Sequence, residues 1–349
     1  MLPAESLTGL VVGTGWKVVG IAHRPKGATG ACFSVGYNVQ HNDGRLAFLK
    51  AMDYTRAFQV IQHLAAILHS ITEAYLFEKN LCLRCRDEKL QRVVHAIECG
   101  TVQLKPNEPL SAVEFLVFER ADADIRTHLD AMAAFDLAFA LRTLHHVAVG
   151  LQQLHRIQVA HQDVKPSNVL VFSGSRGSKI GDLGRAWVKD TPAPHDVLNY
   201  AGDPTYAPPE LLYGQVSADE RARRFGCDLY HLGNLAVFIF SRAHINALLW
   251  KYLAPEHQAQ RWSGDYPAVL PYVHAAFAQA MEEFKNNLPS WLQEDLTAIV
   301  MQLCEPDVSR RGHPLSILSQ GNQFSLERYI SAFDRLAYQA EITLRAKVA

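Results

Sequence analysis

The sequence has no excess of charge of either sign and no long hydrophobic run. Its 349 residues include 34 Lys and Arg against 35 Asp and Glu, which leaves a formal net charge of -1. Such a balance provides no electrostatic footprint for nucleic acid or for an acidic membrane surface. No segment approaches the roughly 20 apolar residues of a membrane span, and the first residues carry no secretory signal pattern. We therefore expect a cytoplasmic protein with no nucleic-acid partner and no membrane span.

Cysteine is sparse and does not form the pattern of a disulfide framework. The 6 cysteines are scattered along the chain, as suits a reducing compartment. Cys82 and Cys85 form one CxxC motif, but no second pair follows at the spacing of a zinc ribbon. Because the surrounding pattern is helical, we interpret both cysteines as reduced structural residues and predict no metal there.

The N-terminal part of the chain is dominated by short β-rich segments, interrupted by one long helical stretch. Asn42, Asp43 and Gly44 separate two of the segments, which predicts a hairpin. Between Thr55 and Cys85 apolar residues recur at helical spacing, which predicts one or two helices. The predicted strands are WKVVGIAH, CFSVGYNV, LAFLKAMD, RVVHAIECGTV and VEFLVFE.

The remainder of the chain is helical in pattern. From Leu137 an apolar face repeats every three or four residues, and helical patterns continue to the C-terminus. A polar segment at residues 119–124 follows the last predicted strand and marks a boundary. We therefore predict an α+β fold of two lobes, with a small β-rich N-terminal lobe at residues 1–120 and a larger α-helical C-terminal lobe at residues 121–349.

Residues 161–168, HQDVKPSN, place polar chemistry directly before a strand that looks buried. Asp163 can accept a proton, and the amide oxygen of Asn168 can bind a hard cation. Asp182, in GDLGRA, adds a second carboxylate on a tight turn between glycines. Mg²⁺ prefers carboxylate, carbonyl and phosphate oxygens. Convergence of Asn168 and Asp182 on one point would therefore favour a magnesium-dependent phosphate reaction.

Four motifs resemble, in their order and spacing, the catalytic core of the eukaryotic-type serine/threonine protein kinases. They are HQDVKPSN, DLG, GDPTYAPPE and DLYHLG, which begin at residues 161, 182, 202 and 228. The resemblance extends over about residues 16–314 and implies a bilobal protein-kinase-like fold. It also implies ATP and Mg²⁺ as cofactors, and a protein substrate that accepts phosphate on a Ser or Thr hydroxyl.

The resemblance implies catalytic roles for four residues of these motifs. Asp163 would be the catalytic base that orients the substrate hydroxyl, while Asn168 and Asp182 would hold the magnesium ions. Lys165 would contact the transferred phosphate, and a lysine at this place is typical of serine/threonine kinases.

The segment LAFLKAMD resembles the family's third strand, which would make Lys50 the side chain that pairs with the α- and β-phosphates. A helix glutamate must hold this lysine, and the sequence offers Glu73 and Glu78. We favour Glu78, because Leu81 and Cys82 then fall where the family's helix packs inward, and keep Glu73 as the alternative.

The resemblance also assigns residues that would contact ATP. The glycine loop, KGATGACFSVGY, departs from the spacing of the family's three glycines, so the nucleotide-binding prediction depends on Lys50. The assigned contacts are Gly27, Gly30 and Phe33 in this loop, Phe118 as gatekeeper, and the backbone of Glu119 and Ala121 in the hinge.

Three further assignments concern the scaffold around the catalytic loop. The resemblance implies that Glu210 pairs with a buried arginine near the C-terminus, for which the sequence offers Arg311. Asp228 would cap the backbone of the catalytic loop from the helix beneath it. Thr205 would lie in the loop that docks the substrate.

Gln162 departs from the family pattern. Kinases that are switched by phosphorylation of the activation segment usually carry arginine there, and its charge pairs with the phosphate and orders the segment. Glutamine has no charge to offer. We therefore predict an enzyme that does not depend on such a phosphate, although Thr191, Tyr200 and Thr205 lie in the segment.

Two other functions stay open at the level of sequence. A pseudokinase would serve as a scaffold, with or without bound ATP, but the Lys, Asp and Asn positions that such proteins usually lose are all present. A small-molecule kinase of the aminoglycoside or choline type shares the acid, the Asn and the second Asp in similar order. It lacks the lysine-proline pair and the APPE segment found here.

Overall fold

An antiparallel sheet of six strands forms the N-terminal region, as far as its residues are described. The computed structural model describes residues 2–23, 34–54, 64–108, 111–172, 177–319 and 321–348. The strands are β1 (Val11–Val12), β2 (Trp16–Ile21), β3 (Ser34–His41), β4 (Leu46–Met52), β5 (Ala96–Gln103) and β6 (Ala112–Glu119). Their spatial order is β1-β2-β3-β4-β6-β5. The structure thus confirms the strands predicted from the sequence and adds β1 before them.

The hairpin of β3 and β4 sets the direction in which Lys50 points. Its turn contains Gly44, whose φ of 92° lies in the left-handed region that favours glycine. Along β4, Ala47, Leu49 and Ala51 are completely buried in the core on one face of the sheet. Because side chains alternate along a strand, Lys50 projects from the opposite face. The predicted hairpin is confirmed.

Helices dominate the rest of the described chain. Aspartates mark where several begin, because Asp124, Asp136, Asp219 and Asp265 each accept a backbone N–H of the first turn. The helices are α1 (Leu64–Asp87), α2 (Ile125–Ala131), α3 (Leu137–Arg156), α4 (Pro209–Leu212), α5 (Glu220–Ser241), α6 (Ile245–Tyr252), α7 (Tyr266–Asn286), α8 (Gln293–Leu303), α9 (Pro314–Ile317) and α10 (Glu327–Val348). Helix α1 lies between β4 and β5, as predicted, and residues 55–63 lie outside the described residues.

Five short strands complete the described part of the C-terminal region. They are β7 (Ala123–Asp124), β8 (Val159–Ala160), β9 (Val169–Phe172), β10 (Gly177–Ile180) and β11 (Trp187–Val188). Strands β9 and β10 are antiparallel, and Val169 pairs with Ile180. The chain segments that precede β9 and follow β10 therefore leave from the same end of this hairpin. Both Val169 and Ile180 are completely buried, so the base beneath the predicted catalytic loop is fixed.

Helix α5 runs through the hydrophobic core. Its residues from Arg224 to Ile239 are buried. Among the described residues, no single helix is long and apolar enough to cross a membrane. Only taken together do helices α5 and α6 have the length and apolar composition of a membrane span, and they are bent by 83° where they meet.

The C-terminal helix α10 packs along α3. Arg142 of α3 joins the two helices, since its guanidinium contacts Asp334 at 2.5 Å and Glu341 at 2.8 Å. The inner side of α10 is buried through residues such as Phe333 and Leu336. This helical tail is therefore part of the C-terminal core.

The two cysteines of the CxxC motif are buried in α1 and belong to the core. Both thiols are free, and burial raises the pKa of Cys85 to about 12 and that of Cys82 well above its ordinary value. At neutral pH both thiols are therefore protonated, and a protonated thiol is a poor nucleophile.

A buried ion pair ties α4 to the segment before α9. Arg311 Nη1 and Nη2 donate to the two carboxylate oxygens of Glu210, each at 2.7 Å. The guanidinium also donates to the carbonyls of Glu305 and Gly226, and it lies over the ring of Tyr230. Arg311 is completely buried. The pairing that the sequence predicted is confirmed.

Replacing Arg311 by Ala should destabilise the fold by about 3–5 kcal/mol, because the carboxylate of Glu210 would be left buried and unpaired. The matched control is Arg335→Ala, which breaks an exposed pair with Asp295 at 3.0 Å. That change should cost less than about 1 kcal/mol. Urea unfolding of both variants measures the difference, and equal losses of stability would contradict this account.

Candidate active site

The carboxylate of Asp228 in α5 fixes the loop of residues 161–168 from below. It accepts the backbone N–H of His161 at 2.9 Å and that of Gln162 at 2.8 Å. His155 Nε2 donates to the same carboxylate at 2.8 Å. Burial opposes ionisation of Asp228, but its hydrogen bonds and the nearby histidines outweigh burial and lower its pKa. The predicted capping by Asp228 is confirmed.

Three of the predicted catalytic side chains meet in this loop. Lys165 Nζ lies 3.1 Å from Asp163 Oδ2. Asn168 Nδ2 donates to the same oxygen at 3.1 Å and to the backbone carbonyl of Asp163 at 2.8 Å. All three side chains are buried. Burial raises the pKa of Asp163, and the positive charge of Lys165 acts in the opposite direction. The loop therefore holds a carboxylate, an ammonium and an amide in mutual contact.

Lys50 of β4 is held by Glu78 of α1. Its Nζ donates to the two carboxylate oxygens at 2.8 and 2.7 Å. Burial alone would lower the pKa of Lys50, but the negative charges of Glu78 and Asp182 outweigh burial and raise it, so the lysine is charged. The alternative partner, Glu73, lies on the exposed side of α1 and contacts His69 at 3.2 Å. Of the two candidates, the structure brings Glu78 to the lysine.

Asp182 lies between Lys50 of β4 and the loop of residues 161–168. It follows β10 and adopts a φ of 62°, a left-handed conformation that is uncommon for a non-glycine residue. Its Oδ1 is 3.9 Å from Lys50 Nζ. Desolvation disfavours the charged form, but the positive charges of Lys50, His161 and Lys165 outweigh it and lower the pKa of Asp182. Asp182 therefore offers an ionised carboxylate between the N-terminal sheet and the catalytic loop.

The chemistry of Asn168 and Asp182 fits a divalent cation with oxygen ligands. The amide nitrogen of Asn168 donates toward Asp163, and its Oδ1 has a long contact of 3.4 Å with Ser167 Oγ, so this oxygen can serve as a ligand. The backbone N–H of Gly181 donates to the carbonyl of Asn168 at 2.8 Å, which ties the two segments together. An amide oxygen and an ionised carboxylate are the donors that Mg²⁺ prefers.

The predicted hinge follows β6. Phe118 is half-buried and pairs with Phe48 of β4 across the sheet. The carboxylate of Glu119 contacts Lys179 Nζ at 2.5 Å, so its side chain links the sheet to β10. Ala121 is half-buried just before β7. The predicted glycine-loop contacts lie outside the described residues: Gly27, Gly30 and Phe33.

The structure adds Asp203 to the site, a residue that the sequence analysis missed. Its backbone N–H donates to Asp163 Oδ1 at 2.9 Å, and its Oδ2 lies 3.5 Å from Lys165 Nζ. Its Oδ1 accepts the N–H of Thr205, whose side chain is exposed next to the site. Asp203 lies inside the motif GDPTYAPPE, so its position in that motif was the available signal.

Comparison with known families agrees with this geometry. The family model described as protein kinase domain matches residues 27–320, which is well over half of the chain. The chain therefore belongs to the protein kinase family. The fold prediction, a β-rich N-terminal region and a larger helical C-terminal region, is confirmed.

Curated relatives match a shorter part of the chain. Serine/threonine-protein kinase DCLK1 of Rattus norvegicus is 36% identical over 72 residues, which are 20% of this chain and 16% of that protein. Its namesake in Mus musculus is 36% identical over 72 residues, which are 20% of this chain and 9% of that protein. The match thus spans less than a fifth of the length of these relatives.

Glu78→Gln should weaken nucleotide binding, because the amide cannot neutralise Lys50, which would then be drawn toward Asp182 alone. A hydrogen bond between charged groups contributes about 1.5–3 kcal/mol, so we expect the affinity for ATP with magnesium to fall about tenfold or more. Glu73→Gln, on the exposed side of the same helix, is the control and should bind normally. Calorimetric titration measures both, and a stronger effect at Glu73 would reverse the assignment.

Proposed function

We propose that this chain is an enzyme that transfers the γ-phosphate of ATP to a Ser or Thr hydroxyl of a protein substrate. The observation that carries the proposal is the proximity of two groups of side chains, whose segments are joined by the hydrogen bond from the N–H of Gly181 to the carbonyl of Asn168. Lys50, Glu78 and Asp182 form one group, and Asp163 and Lys165 lie in the other. The predicted cytoplasmic location stays a prediction.

The residues of the catalytic loop supply positioning and charge. Asp163 would orient the substrate hydroxyl and accept its proton, and its contacts with Lys165 and Asn168 restrict the carboxylate to one direction. Lys165 would neutralise charge on the transferred phosphate. Prepositioned charges of this kind cost no reorganisation during the reaction, and they are a large source of catalysis in phosphate transfer.

The binding of ATP and magnesium is assigned to residues of both regions. Lys50, held by Glu78, would pair with the α- and β-phosphates, while Asn168 and Asp182 would hold Mg²⁺. When bound, the cation neutralises the phosphates and fixes their orientation. The backbone of the hinge at Glu119 and Ala121 would contact adenine, with Phe118 beside it.

Two observations support Ser or Thr as the acceptor. Lys165, which is typical of serine/threonine kinases, contacts the carboxylates of both Asp163 and Asp203, so it lies beside the proposed base. The relatives that match part of the chain carry the name serine/threonine-protein kinase.

We also propose that activity does not require phosphorylation of the segment from Asp182 to Glu210. Gln162 stands next to the proposed base and has no charge with which to bind a phosphate. Its side chain is engaged otherwise, since Nε2 donates to the carbonyl of Arg185 at 3.0 Å and Oε1 accepts from Arg224 at 2.6 Å.

Incubation with labelled ATP and magnesium, alone and with a generic basic protein, tests the proposed transfer. Asp163→Ala should bind ATP about as well as the original protein but lose at least about 100-fold in transfer, since general-base catalysis contributes roughly 10²–10⁴-fold. Asp163→Asn is the companion variant, because it keeps the shape and the contact with Asn168. Transfer at the original rate in both variants would overturn the role of Asp163.

The same experiment separates the alternative functions. ATP binding without label on any protein or small molecule would favour a pseudokinase scaffold. Label on aminoglycosides or choline, but not on peptides, would favour a small-molecule kinase. A peptide panel with Ser, Thr or Tyr as the only hydroxyl determines the acceptor, and transfer to Tyr alone would exclude the proposed specificity.

Phosphatase treatment tests independence from phosphorylation. Protein treated with phosphatase, and verified as unphosphorylated by mass spectrometry, should transfer phosphate at the rate of untreated protein. Thr191→Ala and Thr205→Ala remove candidate acceptors in the segment and should each leave ATP affinity unchanged. Loss of activity on phosphatase treatment, restored by a phosphomimetic residue, would contradict the proposal.

A further inference from the structure

Arg224 lies buried where three parts of the chain meet. Its Nη1 donates to Gln162 of the catalytic loop at 2.6 Å, and its Nη2 donates to Asp196 at 3.2 Å. Its Nε donates to Glu220 one turn earlier in α5 at 2.9 Å. Only 3% of the side chain is exposed. A planar guanidinium with fixed donor directions suits such a junction, because each nitrogen addresses a different partner.

Asp196 anchors the middle of the segment from Asp182 to Glu210. It lies 14 residues from either end, since 196 − 182 and 210 − 196 are both 14. One carboxylate oxygen accepts from Arg224, and the other accepts the backbone N–H of Ala193 at 2.8 Å. The carboxylate therefore fixes a turn of the segment and attaches that turn to α5.

The neighbouring Arg223 makes a second attachment to the same part of the segment. Its Nη2 donates to the backbone carbonyl of Leu198 at 2.8 Å. Two consecutive arginines at the start of α5 thus hold residues 196–198. Helix α5 lies in the core and also carries Asp228, which fixes the catalytic loop. The segment and the catalytic loop are therefore attached to the same helix.

Gln162 connects this junction to the proposed base. Its backbone N–H donates to Asp228, its φ of 61° is left-handed, and its side chain accepts from Arg224 while donating to the carbonyl of Arg185. Asp163 is the next residue. Displacement of Arg224 would therefore release Asp196 in the middle of the segment. It would also release the side chain of Gln162, the residue before the proposed base.

We propose that Arg224 and Asp196 are positioning residues that replace a phosphate as the anchor of the activation segment. A phosphorylated kinase orders this segment through an ion pair between an added phosphate and an arginine of the catalytic loop. Here both charges are encoded in the sequence, the cation comes from α5, and Gln162 links the pair to the loop. This inference rests on the proposed phosphate transfer and specifies how it is kept active without modification.

Asp196→Asn tests the ion pair, since it removes the charge and keeps an oxygen for the N–H of Ala193. Backbone amides of residues 191–203 should exchange hydrogen about tenfold faster, because the one oxygen of asparagine cannot accept from both Ala193 and Arg224, and the hydrogen bond between charged groups is lost. The turnover number should fall by a similar factor, with KM for ATP unchanged. Asp190→Asn is the control, since Asp190 is exposed in the same segment at a φ of 58°, which asparagine tolerates.

Coupling is measured with Arg224→Gln. The double variant with Asp196→Asn should be no slower than Arg224→Gln alone, because both changes break the same interaction. The free energy of unfolding of Asp196→Asn in urea should fall by no more than about 1.4 kcal/mol, the equivalent of the tenfold change in exchange, which separates positioning from general instability. Unchanged exchange in residues 191–203, or additive losses in the double variant, would overturn the inference.

Hydrogen exchange is read on the protein without ATP, so it does not depend on catalysis. If the original protein transfers no phosphate, the proposed function fails. If transfer is present but Asp196→Asn behaves like Asp190→Asn in both exchange and turnover, the anchor fails while the proposed function stands.

Discussion

The catalytic loop depends on the buried carboxylate of Asp228. A buried charge is costly unless it is well hydrogen-bonded, and here its partners are the N–H groups of His161 and Gln162 and the ring of His155. The same bonds hold Gln162 in a left-handed conformation, which costs of order 1 kcal/mol for such a residue. The charge and the strained backbone therefore stabilise each other, and the direction of Asp163 follows from this arrangement.

Carboxylates outnumber cations at the candidate active site. Lys50 faces Glu78 and Asp182, and Lys165 faces Asp163 and a further aspartate, Asp203. Two cations against four carboxylates leave a charge of -2 when all are ionised, which disfavours a bare phosphate and favours a divalent cation. The positively charged lysines stay in place because they are paired, and the carboxylate of Asp182 stays ionised because they are near.

The fold, the local motifs and the distant contacts that the family resemblance implies, such as Glu210 with Arg311, could be predicted from the sequence, whereas distant contacts outside the family motifs could not. Glu78 was favoured because it shares a helix face with Leu81 and Cys82, and this face proved to be the buried one. The ion pair of Arg224 and Asp196 joins residues 28 positions apart, since 224 − 196 is 28, on elements whose relative position is set by the tertiary packing of α5. A local pattern carries no signal for such a contact.

The activation segment is held by aspartates at its beginning, middle and end, and each faces a cation on a different fixed element. One cation lies on β4, one on α5 and one in the catalytic loop. Loops are held weakly by their own backbone, so their order depends on such anchors. A phosphate that paired with one of these three cations would have to displace the carboxylate that already faces it. The three pairs are Asp182 with Lys50, Asp196 with Arg224, and Asp203 with Lys165.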